Sequence, residues 1–159
     1  NVVLDPGTAH CDLVVCDNGK SVCTCCREGI PDLDQRSKHW HCVLGRYSFS
    51  SGRYYWEVNV ERGLGRWAVG VSRADVRKDV DIDQNVKPEE GIWAVGTQAW
   101  LLEAYTSPDC TPLPEIRTSS QIRVCLDYEE GQVAFFSVDK GIPIFMFPLA
   151  LSERENVHP

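Results

Sequence analysis

Apolar and polar residues alternate with a period of two through much of this chain, a pattern that predicts strands rather than helices. Trp56, Val58 and Val60 alternate with Tyr55, Glu57, Asn59 and Glu61, and Trp67, Val69 and Val71 with Ala68, Gly70 and Ser72. Successive strand side chains point to opposite faces, so each run offers one apolar face to a core. Read along the chain, the pattern predicts strands over residues 13–16, 21–25, 52–61, 66–72, 91–96, 99–105, 121–128, 132–138 and 142–147. Turn chemistry separates them. Asp17-Asn18-Gly19-Lys20, Arg62-Gly63-Leu64-Gly65, Glu129-Glu130-Gly131 and Asp139-Lys140-Gly141 are rich in residues that accept turn dihedrals. Residues 108–114 (Pro-Asp-Cys-Thr-Pro-Leu-Pro) read as an exposed loop, because proline cannot donate to a sheet ladder. Helical candidates are short: 34–38, and 72–78 with Ser72 as a cap. Many short strands with one or two short helices predict an all-β fold, an antiparallel β-sandwich or barrel.

Size and charge narrow the function. A chain of 159 residues fits one domain with a real core. No apolar run approaches the ~20 residues of a membrane span, and Asn1-Val2-Val3-Leu4-Asp5 lacks a basic region before an apolar stretch. Neither a signal peptide nor an anchor is expected in this segment, and no direct membrane contact. The formal net charge is -7, which argues against nucleic acid, since phosphate backbones are bound by clustered Lys and Arg. The basic spots Arg62 with Arg66, and Arg73 with Arg77-Lys78, are interrupted by Asp75, Asp79, Asp81 and Asp83.

Eight cysteines invite three chemistries. A chain this long does not need disulfide staples, and Cys125, inside Ile122-Arg123-Val124-Cys125-Leu126, reads as a small buried hydrophobe. Reduced, intracellular thiols are expected. His10, Cys11, Cys16, Cys23, Cys25, Cys26, His39, His41 and Cys42 are metal-ligand types. Cys23-x-Cys25-Cys26 is not the paired knuckle of a structural zinc site, however, so no metal site is expected. Nor is an enzyme. The sequence has no Gly-x-Ser-x-Gly elbow, phosphate loop or His-Glu-x-x-His helix, and Cys42 beside His39 and His41 lacks a third orienting group. Glu89-Glu90 reads as a pair of solvated turn residues, and no cofactor is expected.

Three spaced motifs carry a resemblance: Leu4-Asp5-Pro6; Trp56-Glu57-Val58, preceded by Ser51-Gly52-Arg53-Tyr54-Tyr55; and Leu126-Asp127-Tyr128-Glu129, followed by Gly131 and Phe135-Phe136. Cys42-Val43-Leu44-Gly45, Trp67-Ala68-Val69-Gly70-Val71 and Gly91-Ile92-Trp93-Ala94-Val95 lie between them in order. Together they resemble a PRY-SPRY domain, the module at the C-terminus of tripartite-motif proteins and in the cytoplasmic tails of butyrophilins. The resemblance implies a concanavalin-like jelly-roll sandwich, with a PRY part over about residues 1–48 and a SPRY part over about 49–159. Family members usually continue past the counterpart of Val157-His158-Pro159 into a final strand, so that strand is expected to be missing. Trp56, Trp67 and Trp93 are expected to face inward, and Asp127 and Glu129 to accept backbone hydrogen bonds at a strand end.

The resemblance also implies a function. A target protein or peptide docks on loops at one end of the sandwich, here 62–66, 80–87, 97–102 and 105–114. Arg66, Asp81, Asp83, Thr97, Gln98, Trp100, Leu102 and Tyr105 are the expected partner-binding residues, with Trp100 as aromatic anchor. The alternative for Trp100 and Leu102 is that they are inward-facing strand residues. The leading expectation is the substrate-selecting, cytoplasmic domain of a tripartite-motif ubiquitin ligase. Its RING, and the coiled coil that makes it dimeric, would lie outside this chain. The alternative is a butyrophilin-type signalling tail that binds a partner protein or a small phosphorylated ligand. Arg53 and Arg77-Lys78 are the available cations for such a ligand, but Asp79, Asp81 and Asp83 would repel phosphate.

Overall fold

The computed structural model describes residues 1–24, 41–60, 66–76, 85–98, 101–117, 119–151 and 155–159, with side chains 98 and 115–117 outside the description. The strands are β1 (Leu13–Cys16), β2 (Ser21–Thr24), β3 (Arg53–Asn59), β4 (Trp67–Arg73), β5 (Ile92–Gln98), β6 (Leu101–Ala104), β7 (Thr111–Arg117), β8 (Gln121–Asp127), β9 (Gln132–Ser137), β10 (Ile142–Pro148) and β11 (Val157–His158). They form a β1-β2 hairpin, a four-stranded sheet in the order β10-β9-β8-β3 and a five-stranded sheet in the order β11-β4-β5-β6-β7. Every pairing is antiparallel. The expected all-β antiparallel sandwich is what forms.

Alternation does the folding work. On β8, Ile122, Val124 and Leu126 are buried, whereas Gln121, Arg123, Cys125 and Asp127 are not. Val133 and Phe135 on β9 and Phe147 on β10 join them from the four-stranded sheet. Val71, Trp93, Val95, Leu102 and Ala104 meet them from the five-stranded sheet. The Phe135 and Phe147 rings cross edge to face at 6.0 Å, the arrangement their ring quadrupoles favour. Trp93 is fully buried, and Trp56 and Trp67 pack against the same core while partly open.

The turn signals among the described residues act where expected, and the fourth, 62–65, lies outside them. Asp17, Asn18 and Gly19 all have positive φ between β1 and β2. Gly19 (φ 85°) is also pressed on the N-terminal segment, where an added Cβ would lie 2.5 Å from Val3. Gly131 and Gly141 take positive φ in the β8-β9 and β9-β10 turns. At the β3-β8 end, Asp127 accepts from Glu130 N at 3.0 Å and pairs with Arg53 at 2.8 Å, and Glu129 accepts from Gly52 N at 2.9 Å. These acids hold strand ends.

Two motifs far apart in sequence form one structure. Asp5 Oδ1 accepts from Gly7 N at 3.0 Å and caps the short 3-10 turn Pro6–Thr8. Asp5 N donates to Leu44 O at 2.8 Å, and Leu44 N donates to the Thr8 hydroxyl at 3.0 Å. Gly45 N in turn donates to Pro159 O at 2.9 Å, and Phe49 pairs with Val157. The N-terminal segment is thereby laced through residues 42–49 to the chain end.

Three expectations need correction. Of the expected loop 108–114, residues 111–114 belong instead to edge strand β7, with Pro112 opposite Glu103. An edge strand leaves one side of its backbone without a ladder, which is where proline is tolerated. Ser72 caps no helix; it is buried in β4, and the rest of that candidate, 77–78, lies outside the described residues. Cys125 is not in the core: alternation with Val124 and Leu126 turns it to the outer face, opposite Tyr55 and Ala134. The candidate helix 34–38 lies outside the described residues.

Candidate partner-binding surface

The outer face of the five-stranded sheet is built from the residues that alternate with the core set. On β5, Trp93, Val95 and Thr97 point inward, so Ile92, Ala94 and Gly96 take the other side. Val76, Ile92, Ala94 and Tyr105 close over one end of that face as a second apolar cluster, with Cys42 and Val86 packed against it. Cys42 therefore acts as a small hydrophobe. Among the described residues the other end stays open. There Ala68, Gly96, Glu103 and Pro112 lie side by side across β4, β5, β6 and β7, and Leu101 stands opposite Gln98.

Glycine at 96 is required by close approach. An added Cβ would lie 2.2 Å from Trp67 O and 3.0 Å from the Tyr105 ring. The ring thus lies over the sheet at the boundary between the covered and the open half. Burial pushes the Tyr105 phenol above its ordinary value, and a hydrogen bond with Arg66 works against that rise. Burial also pushes the Cys110 thiol up, and the charges of Glu103 and Asp109 add to the effect. Arg66, Glu103, Tyr105 and Cys110 form one electrostatic neighbourhood. Within it, Glu103 Oε1 is buried without a hydrogen-bond partner among the described residues. Such an acceptor is costly to leave unsatisfied.

The eight expected binding residues divide accordingly. Arg66 is exposed at the start of β4. Thr97 (2% exposed), Leu102 (0%) and Tyr105 (6%) are buried, so in this fold they pack rather than present a surface. The physical reason is parity: Thr97 pairs with Leu102 on the core side, and Tyr105 belongs to the second cluster. Gln98 ends β5, and its side chain lies outside the description, as do Trp100, Asp81 and Asp83 altogether. Leu101, Glu103 and Cys110 were absent from the expected set. Alternation over Leu101-Leu102-Glu103-Ala104 carried the signal: with Leu102 and Ala104 inside, Leu101 and Glu103 must face out.

The outer face of the four-stranded sheet differs. Glu57 accepts from Arg123 at 2.7 and 3.0 Å and from Gln121 at 2.8 Å. The Arg123 guanidinium lies 5.7 Å from the Tyr55 ring centroid, within cation–π range. Arg53, a candidate phosphate ligand, is held by Asp127. Tyr55 and Met146 are exposed there.

A fold of two antiparallel sheets laced by an N-terminal Leu-Asp-Pro segment defines a class of protein. The family models for the SPRY domain and the SPRY-associated domain match residues 53–159 and 2–49. The chain belongs to the SPRY family, with the PRY segment at its N-terminal side. The family is a binding fold, not a catalytic one. Human butyrophilin subfamily 1 member A1 is 40% identical over 92% of this chain and 27% of its own length. The mouse E3 ubiquitin-protein ligase TRIM38 is 40% identical over all of this chain and 34% of its own. The chain thus spans about a third or less of these relatives. Among solved structures, the TRIM65 PSpry domain superposes with a TM-score of 0.82 at 20% identity, over 99% of this chain and 82% of that one. Stonustoxin superposes with a TM-score of 0.77 at 21% identity, over 99% and 25%.

Proposed function

We propose that this domain recognises a target protein or peptide through the open half of the five-stranded sheet and the loops beside it. One observation carries the reading: a buried Glu103 oxygen without a partner among the described residues, beside Leu101, an exposed leucine on the same face. A partner segment laid across this half covers Leu101 and offers Glu103 a donor once its side chain turns outward. Arg66 lies at the start of β4, and in the sequence Asp81 and Asp83 fall between β4 and β5 and Trp100 between β5 and β6, whose last and first residues are Gln98 and Leu101. An apolar centre rimmed by charges is the usual anatomy of such an interface.

The parent protein, in this reading, is a cytoplasmic tripartite-motif ubiquitin ligase that chooses its target with this domain. Two copies linked by a coiled coil outside this chain would raise avidity. The 40% identity to a butyrophilin supports a second reading, a butyrophilin-type tail. Sequence upstream of Asn1 separates the two: a RING and coiled coil for the first, a membrane-spanning helix for the second.

Affinity capture from cell extract, followed by measured binding of the captured partner, tests the surface. Leu101→Asp, Trp100→Ala and an Asp81/Asp83 double substitution are expected to weaken binding with the fold intact. Undiminished binding in all of them, with loss in Tyr55→Ala or Met146→Ala, would move the site to the four-stranded sheet. Saturable binding of a diphosphate by calorimetry would favour the small-ligand reading.

A further inference from the structure

The β1-β2 hairpin sets two cysteines against each other. Across its turn, Asp17-Asn18-Gly19-Lys20, the strands pair in a register that places Val14 opposite Cys23 and Cys16 opposite Ser21. Side chains two apart on a strand share a face, so Val14, Cys16, Ser21 and Cys23 stand on one side of the ribbon. Cys16 and Cys23 occupy a diagonal of that side, where Cys16 Sγ lies 3.9 Å from Cys23 Sγ. Both are thiols. A slip of one residue would put them on opposite faces, so the contact belongs to this register.

From this geometry we propose that Cys16 and Cys23 are a reversible oxidation site, which a small disulfide of the glutathione class converts to a cross-strand disulfide that locks the hairpin. A disulfide bond is about 2.05 Å long, so the two sulfurs must approach by roughly 2 Å, about 1 Å each. Rotation about the two Cα–Cβ bonds supplies it. Exposure orders the steps: Cys23 is exposed and Cys16 half-buried. The Cys23 thiolate attacks one sulfur of the oxidant, the oxidant's S–S bond breaks, and one glutathione leaves with the electron pair. Cys23 keeps the other glutathione as a mixed disulfide. Cys16 then gives its proton to solvent and attacks Cys23 Sγ, which expels the second glutathione. The two leaving thiolates take up the two protons that the cysteines gave up. Two protein thiols are thus oxidised by two electrons, and one small disulfide is reduced to two thiols.

The place in the fold gives the bond something to change. The hairpin stands as its own two-stranded sheet, and Val22, Cys23 and Thr24 of β2 are exposed. A two-stranded hairpin has little stability of its own. Its turn also holds the N-terminal segment: Leu4 N donates to Gly19 O at 2.8 Å, and Lys20 Nζ to Val2 O at 2.7 Å. A cross-link between the strands removes conformations in which they part, and the hold on residues 2–4 persists with it. Exposure of Cys23 leaves the disulfide open to attack by a reducing thiol, which returns the pair to the dithiol.

The test equilibrates the reduced protein with oxidised and reduced glutathione at stepped ratios, blocks remaining thiols by alkylation, and maps the cross-links by mass spectrometry. Expected are a peptide pair joined through Cys16 and Cys23, its loss in excess reduced glutathione, and several-fold slower amide exchange over residues 13–24 in the oxidised protein. Cys16→Ser should leave one glutathione on Cys23, and Cys125→Ser should leave the cross-link unchanged. Cys23 joined instead to Cys25 or Cys26 would overturn the proposal, in the wild type or in Cys16→Ser. So would Cys16 and Cys23 both alkylated at the most oxidising ratio. Amide exchange equal in the two redox states would overturn the locking of the hairpin.

Discussion

The two outer faces of the sandwich are built by the same alternation and end in different states. On the four-stranded sheet the polar groups satisfy one another: Glu57 with Arg123 and Gln121, Arg53 with Asp127. On the five-stranded sheet one half is roofed by Val76, Ile92, Ala94 and Tyr105, and the other leaves Leu101 exposed and a Glu103 oxygen without a partner among the described residues. A sheet face that completes its own hydrogen bonds gains little from a partner. One that leaves an acceptor buried gains the cost of that group back when a donor arrives. The comparison explains why the open half, rather than the ion-paired face, is the better candidate for recognition.

The adjacent leucines of β6 test this difference most directly. Leu102→Ala removes a fully buried side chain and is expected to cost about 2–5 kcal/mol in denaturant unfolding. Leu101→Ala should change stability by less than about 0.5 kcal/mol while weakening a captured partner. Equal losses at both would mean that the open half is not open.

A smaller effect is expected at the β9-β10 turn. Burial pushes the Asp139 carboxyl up, but hydrogen bonds from Ser119, Ser120 and Ser137 outweigh it and hold it well below the usual carboxylate range. A depressed pKa contributes stability that is present above the unfolded value of about 3.9 and lost as pH falls below it toward the folded value. Melting curves from neutral pH downward should fall less steeply for Asp139→Asn. Because Asp139 is exposed, its loss should cost only about 1 kcal/mol near neutrality.

The smallest effect belongs to the self-satisfied face. Arg123→Ala breaks a surface ion pair with Glu57 and should lower the unfolding midpoint only slightly, less still at high salt. Partner affinity should be unchanged. A clear loss of affinity there would reverse the assignment of the two faces.

Much of the sandwich is legible in the sequence. The turns at 17–20, 129–131 and 139–141 hold positive-φ residues where the chain chemistry asked for them. Asp127 and Glu129 accept the backbone bonds expected of them. The site was legible only in part. The segments implied by the family resemblance pointed to Thr97, Leu102 and Tyr105, but a place in a segment does not say which face a residue occupies. Parity does, and parity needed the register in which Thr97 lies opposite Leu102.

Most of the strands, their turns, the inward tryptophans and the family follow from the sequence alone, because period two and turn dihedrals are written in neighbouring residues. Only the tertiary structure decided that a proline-bearing segment serves as an edge strand, that Cys125 faces outward, and that half of one sheet is roofed. It alone brought His41 to His10 and Asp12. These outcomes depend on pairings between segments tens of residues apart, and such pairings are fixed by which apolar faces bury each other rather than by any local pattern.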